Sequence, residues 1–264
     1  MSQGARVFAA QRYRLSTLTV PSDLLIAVVA GRKMLHASGR TVTVQQGQAI
    51  LIARGTRWDV VNDPHGQRQY EAWVLTFDDD LVREFKLPAD GRSQTVSSAQ
   101  VVRLDDDLLS ALRRTLPAER SVSSALQRHR SLEVMLMLAE KGWRYAPTQD
   151  VSWPERIQRM VSQRPEQNWS VASLAAAFCM SESSLRRRLA SSQFTLAELV
   201  RDSRLQVALG MLQTTGMTVG EVAQQCGWTS HSRFTAAFQQ RWSVAPSVVR
   251  ARMKESAQDM TGQG

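Results

Sequence analysis

Two short stretches carry the residues best suited to chemistry. In the first, Ser183 and Ser184 precede Leu185 and three successive arginines, Arg186, Arg187 and Arg188. In the second, His231, Ser232 and Arg233 precede Phe234, Thr235 and Ala236. A guanidinium fork matches both a guanine edge and a phosphate, and short hydroxyls donate to either. This is the chemistry of recognising a polyanion, not of making or breaking bonds. Other chemistries lack their residues. Cys179 and Cys226 form no CxxC pair and lie near no histidine cluster, so no zinc site is expected. Both cysteines are expected on apolar helix faces, as reduced core thiols. His36, His65 and His129 are scattered. No catalytic residue, metal or cofactor is expected, and the chain is not expected to be an enzyme.

The two stretches sit in a repeat. Leu174-Ala175 recurs as Val222-Ala223, 48 residues on, while Ser181, Leu185 and Leu189 recur as Ser230, Phe234 and Phe238, 49 residues on. Each copy reads as a short capped helix, a tight turn and a second capped helix. A small residue at Ala175 and Ala223 lets two steeply crossed helices approach closely. In such a unit the second helix enters the major groove with its N-terminal positions towards the bases. Arg186 and Arg187 are then placed for base edges and Arg188 for a phosphate. Double-stranded DNA is the expected partner.

The surrounding sequence must hold these units. Pro154 suits a first helical position, with Ile157, Met160 and Val161 facing inward. Ser170 and Ser181 are expected caps, Thr195–Leu212 a long apolar helix, and Thr218 with Glu221 a capping box. Gly227–Ser230 reads as a turn, followed by a helix through Phe238, and Pro246 opens a last helix to Met253. Upstream, Arg14–Val20, Leu24–Ala30, Thr41–Val44, Ala49–Ala53, Trp58–Val61 and Tyr70–Phe77 read as strands, with a loop at 62–66. Such spacing suits a small sandwich or barrel. Helices are expected over Asp78–Phe85, Asp105–Leu116 and Ala118–Trp143. The last has an apolar stripe wide enough for a dimer seam or for packing on its own barrel.

The expected organisation is an N-terminal domain over 1–144, a linker over 145–153, a helical domain over 154–254 and a disordered tail over 255–264. Net charge supports the polyanion. It is +9, with 20 Lys+Arg against 16 Asp+Glu in residues 1–150 and 13 against 8 in residues 151–264. No apolar run reaches 18 residues and no leader pattern opens the chain, so a cytoplasmic location without membrane attachment is expected.

Over about residues 154–253 the sequence resembles the AraC/XylS family of bacterial transcription regulators. Val219, Val222, Ala223, Gly227, Trp228, Phe234, Phe238, Trp242, Pro246 and Arg250 fall on the family pattern of the second unit. Arg204, Leu205, Ala208 and Leu212 fit its linker helix. The family's usual glycines are replaced by Cys179, Gln193 and Ser243, and its usual aromatic by Val249. The resemblance implies seven helices, with the long one holding both recognition helices about one DNA turn apart. It implies base contacts from Ser183, Arg186 and Arg187, and from His231, Ser232, Arg233, Thr235 and Ala236. It also implies an α+β fold overall, in which residues 14–143 form a cupin-like β-barrel with helices. That domain would sense an effector or a regulatory protein, or form a homodimer. From the residues themselves, the apolar runs 24–30 and 49–53 could line a pocket for a small apolar or fatty-acid-like effector, or equally pack an ordinary barrel core. The molecule would act as an activator, with RNA polymerase as a further partner.

Overall fold

The structure is a computed structural model. It describes residues 4–37, 39–85, 93–117, 122–147, 152–190, 192 and 194–250. Its contacts group residues up to Thr148 into one unit and Gln149–Arg250 into another. The expected tail, Gln193 and residues 118–121 lie outside the described residues.

The first unit is built from strands β1 (Gly4–Ala9), β2 (Tyr13–Thr19), β3 (Asp23–Ala30), β4 (Arg32–Ala37), β5 (Arg40–Gln45), β6 (Gln48–Ile52), β7 (Arg57–Asp63) and β8 (Tyr70–Phe77). After them come α1 (Asp79–Glu84), β9 (Gln94–Thr95), β10 (Ala99–Arg103), α2 (Asp106–Thr115), α3 (Ser124–Glu140) and β11 (Trp143–Arg144). The barrel takes the form of two antiparallel sheets that do not close on each other, ordered β1-β8-β3-β6-β10 and β2-β7-β4-β5.

Register explains why β3 and β6 read as continuous apolar runs. Leu25 pairs with Leu51 on one side and Leu75 on the other, and this row packs against Leu108, Leu112, Val134, Met135 and Leu138 of α2 and α3. The alternate residues Ile26, Val28, Ile50 and Ile52 are also buried. They lie on the opposite face, where the second sheet of this unit is available to cover them. Lys33 of β4 is buried in this unit, donates to Asn62 Oδ1 at 2.7 Å and lies over the Tyr70 ring. Burial pulls its ammonium down to about 7.

Several boundaries differ from the sequence reading. Asn62 and Asp63 end β7 rather than open the loop. Helix α3 stops at Glu140, because Gly142 at φ +85° turns the chain into β11, which pairs in parallel with β9. Tyr145, expected in the linker, belongs to the N-terminal core. It packs on Phe77 and donates to the Leu24 carbonyl at 2.6 Å. Of the expected stripe, Leu132, Met135 and Leu138 pack on their own unit, joined by Val134, while Leu126 and Leu136 are exposed.

The second unit contains seven helices among the described residues: α4 (Trp153–Gln163), α5 (Val171–Ala177), α6 (Glu182–Ala190), α7 (Leu196–Thr214), α8 (Val219–Gln225), α9 (His231–Trp242) and α10 (Pro246–Val249). Trp153, expected in the linker, opens α4, with Pro154 beside it in the first turn. Capping residues define most starts: Ser152, Ser170, Thr195, Thr218 and Ser230 each accept a backbone N–H of the first turn. The Thr218–Glu221 box forms as read, and Thr195 with Glu198 adds another.

Candidate nucleic-acid interface

The two units of the repeat share one backbone device. After α5, the Cys179 N–H reaches the Ala176 carbonyl and the Met180 N–H reaches Ala175. After α8, the Gly227 N–H reaches Gln224 and the Trp228 N–H reaches Ala223. This is the paired bonding of a Schellman motif, which needs a left-handed residue at its apex. Cys179 at φ +53° and Gly227 at φ +74° supply it. Cys179 is therefore exposed in a turn, not on an apolar helix face. Cys226 is buried as expected, and burial pushes its thiol up to about 12.

The second helix of each unit follows at once. Ser181 Oγ accepts the Ser184 N–H at 3.2 Å, and Ser230 Oγ accepts the Arg233 N–H at 3.3 Å. Leu185 and Phe234 are fully buried, as is Phe238, while Leu189 is nearly so. Ala175 and Ala223 are buried in the first helix of each unit. These anchors fix α6 and α9 and turn their other faces outward.

The expected contact residues fall into two groups. Ser183, Arg186, Arg187, His231, Ser232, Arg233 and Ala236 are exposed. The side chains of Arg187 and Arg233 have no ion-pair partner among the described residues. Arg186 pairs with Glu182 one turn away at 3.2 Å, an exposed contact of little net strength. Ser184 and Thr235 are half-buried, and Arg188 is exposed but engaged by an aromatic ring. The Ser184 hydroxyl accepts from Ser181 Oγ at 2.9 Å within the cap. Thr235 Oγ1 is shut off from solvent beside the buried Phe234 anchor. Arg188, expected at a phosphate, lays its guanidinium over the Trp153 ring, 4.3 Å from the centroid. Trp153 also carries Arg156 and meets Phe178 edge-on, so Arg188 ties α6 to the start of α4 and the end of α5.

Two arginines hold the frame from inside. Arg204 of α7 donates from Nε to the Pro165 carbonyl at 2.8 Å and from Nη2 to Gln167 at 3.0 Å. Arg250 donates to the Met217 and Gly216 carbonyls in the loop before α8. The sequence placed both in a family pattern but not in these roles, because their partners are backbone carbonyls more than 30 residues away.

Two helix pairs, each with a left-handed turn and an exposed polar second helix, define a tandem helix-turn-helix domain. Comparison with known proteins agrees. A helix-turn-helix domain model matches residues 174–252, and an ExsA N-terminal regulatory domain model matches 23–142. The urease operon transcriptional activator of Escherichia coli is 26% identical over 170 residues, covering 61% of this chain. The regulator YdeO of Escherichia coli K12 is 29% identical over 94 residues, covering 36% of this chain. The chain spans 56% of the length of the first relative and 37% of the second. Among solved structures, fatty-acid-bound ToxT from Vibrio cholerae superposes with a TM-score of 0.61 at 15% identity, covering 94% of this chain and 93% of that one. Residues 174–252 carry a helix-turn-helix domain of the AraC/XylS type, and the chain is similar to AraC-family regulators such as these two. These relatives are regulators and not enzymes. No helix among the described residues is long and apolar enough to cross a membrane.

Proposed function

We propose that this protein is a DNA-binding transcription activator that reads two adjacent major-groove segments, one with α6 and one with α9. One observation carries the reading: both second helices present exposed guanidiniums, Arg187 and Arg233, without ion-pair partners among the described residues, beside short polar residues on anchored scaffolds. Ser183, Arg186 and Arg187 form the first reading set. His231, Ser232, Arg233 and Ala236 form the second, from which Thr235 drops out. Activation is inferred from the name of the urease operon transcriptional activator, and RNA polymerase is proposed as the enzyme that an activator would engage.

Control enters through the N-terminal unit. ToxT is described as binding an unsaturated fatty acid. Here the cavity among Leu51, Phe85, Met135, Leu138, Trp143 and Tyr145 is only about 10 Å³, room for one water at most. This unit is read as the input for a small-molecule effector, a regulatory protein or a second copy. Leu126 and Leu136 of α3 are the exposed apolar positions available to such a partner.

The test of DNA reading uses a site enriched from random duplex DNA by the full-length chain. Arg186→Ala should weaken binding to that site about tenfold or more, since a bidentate guanine contact contributes roughly 1–3 kcal/mol. Binding to unrelated duplex should fall far less. Equal losses on both in an electrophoretic assay would remove Arg186 from the reading set.

A further inference from the structure

One side chain, that of Arg204, reaches both helix-turn-helix units. Arg204 lies in the first half of α7, the helix that joins them. Its guanidinium bonds two carbonyls, Pro165 and Gln167, in the chain leading from α4 to α5 of the first unit. Its other side meets the turn of the second unit. A Cβ placed on Gly227 would lie 2.9 Å from Arg204 Cζ and Nη2 and 2.8 Å from the Pro165 carbonyl oxygen. Thus the first unit's carbonyl, the linker's guanidinium and the second unit's turn are in three-way contact. Only glycine permits it, for reasons of both space and backbone conformation, since Gly227 sits at φ +74°. Trp169 of the first unit and Trp228 of the second line a cleft of about 450 Å³ with Arg204 and Arg201.

We propose that Arg204 is a positioning residue that fixes the separation and angle of the two recognition helices, and so sets the spacing of the two DNA segments the protein accepts. The proposal rests on the two-segment reading above. A planar guanidinium suits the role because it holds two acceptors in fixed directions at once, while its flat face leaves room for a backbone turn to pass. A lysine offers a point charge on a flexible stem and cannot hold both carbonyls in the same way. Arg204 lies outside the two reading sets proposed above, so its loss should alter geometry and not base preference.

The experiment uses the full-length chain and a bipartite duplex enriched by that chain from random DNA. From this duplex, versions are made with one base pair inserted or removed between the two segments. One base pair moves a segment by about 3.4 Å and rotates it by about 35°. For the native chain, either change should reduce affinity by at least about tenfold, because one recognition helix loses its register. In Arg204→Gln the parent duplex should bind more weakly, the penalty for the altered spacings should shrink to about threefold or less, and the preferred bases within each segment should stay the same. Arg204→Lys should fall between the two. An Arg204→Gln chain with the full native spacing penalty would overturn the proposal. If Arg204→Gln does not fold, as judged by its thermal transition, the same comparison is made with Arg204→Lys. Failure of that variant to fold as well would make Arg204 a residue of the fold and overturn the proposal too. A native chain that enriches no sequence at all would instead overturn the DNA reading beneath it. A native chain that enriches a single segment, indifferent to spacing, would leave DNA binding standing and overturn the role assigned to Arg204.

Discussion

At the residue scale, the departures from the family pattern are informative because of where they fall. Cys179 and Ser243 replace usual glycines, and both occupy left-handed backbone, at φ +53° and φ +59°. The fold has kept the conformation and accepted a side chain that disfavours it, by about 1–2 kcal/mol for an L residue. Cys179 is exposed, so its side chain contributes little packing that a substitution would lose. Cys179→Gly should therefore raise stability. The gain is reduced by about 0.4–1 kcal/mol, since glycine adds freedom to the unfolded chain, leaving a net of about 1 kcal/mol. A urea titration of the full-length chain monitored by helical circular dichroism reads this out, and an unchanged or lower midpoint would show that the turn carries no strain. Gly227 permits no reverse change. Strain and the approach of Pro165 and Arg204 act together there, so Gly227→Ala should be far more costly than an ordinary surface substitution.

At the element scale, sequence and structure agree where local signals are strong. Both Pro-initiated helices and the Thr218–Glu221 box were legible, since proline and capping residues act over three or four positions. The recognition helices were legible for the same reason, with the added register of the repeat. What local pattern did not reveal was long-range. Strand β1 exists because Gly4–Ala9 pairs with Tyr70–Leu75, and β10 because Ala99–Arg103 pairs with Gln48–Ile52. Neither segment alternates strongly enough to be read alone. Likewise, the contact of Arg188 with the Trp153 ring was not legible, because a run of arginines on a recognition helix carries no sign of a ring beside it. Helix α7 offers a test at this scale, since it connects the two units. Thr195 Oγ1 accepts the Glu198 N–H at 3.2 Å, and Glu198 accepts the Thr195 N–H at 2.8 Å. Those bonds hold the Glu198 carboxyl below its ordinary value. The folded state thus favours the carboxylate, so the contribution is complete above the ordinary glutamate range and fades as pH falls below it. Thr195→Ala should cost about 1 kcal/mol, as for other N-caps. Chemical denaturation at neutral pH should record the loss. No change would mean that packing of Leu199, Leu205 and Leu212 alone holds the start of α7.

At the scale of the molecule, charge separates DNA from other partners. The chain carries +9 overall, and residues 151–264 hold an excess of five cations. Several of these are committed inside the fold, as Arg204 and Arg250 are to carbonyls. Others stay available, because the exposed pair between Arg186 and Glu182 is weak enough for a phosphate to displace. If the excess of five sets the number of phosphates neutralised, the logarithm of affinity should fall against the logarithm of salt with a slope of about −4.5. A rise from 50 to 200 mM salt would then weaken binding about 500-fold. The measurement is a fluorescence-anisotropy titration of the full-length chain against its enriched duplex at a series of salt concentrations. A duplex bearing a single segment should give about half that slope, since one recognition helix and its flanking cations are disengaged. A slope close to zero would exclude duplex DNA as the partner of this charge. A slope near −8, as the whole chain's excess of nine would give, would instead mean that cations of the N-terminal unit also reach the duplex, and the division into a reading domain and a controlling domain would have to be redrawn.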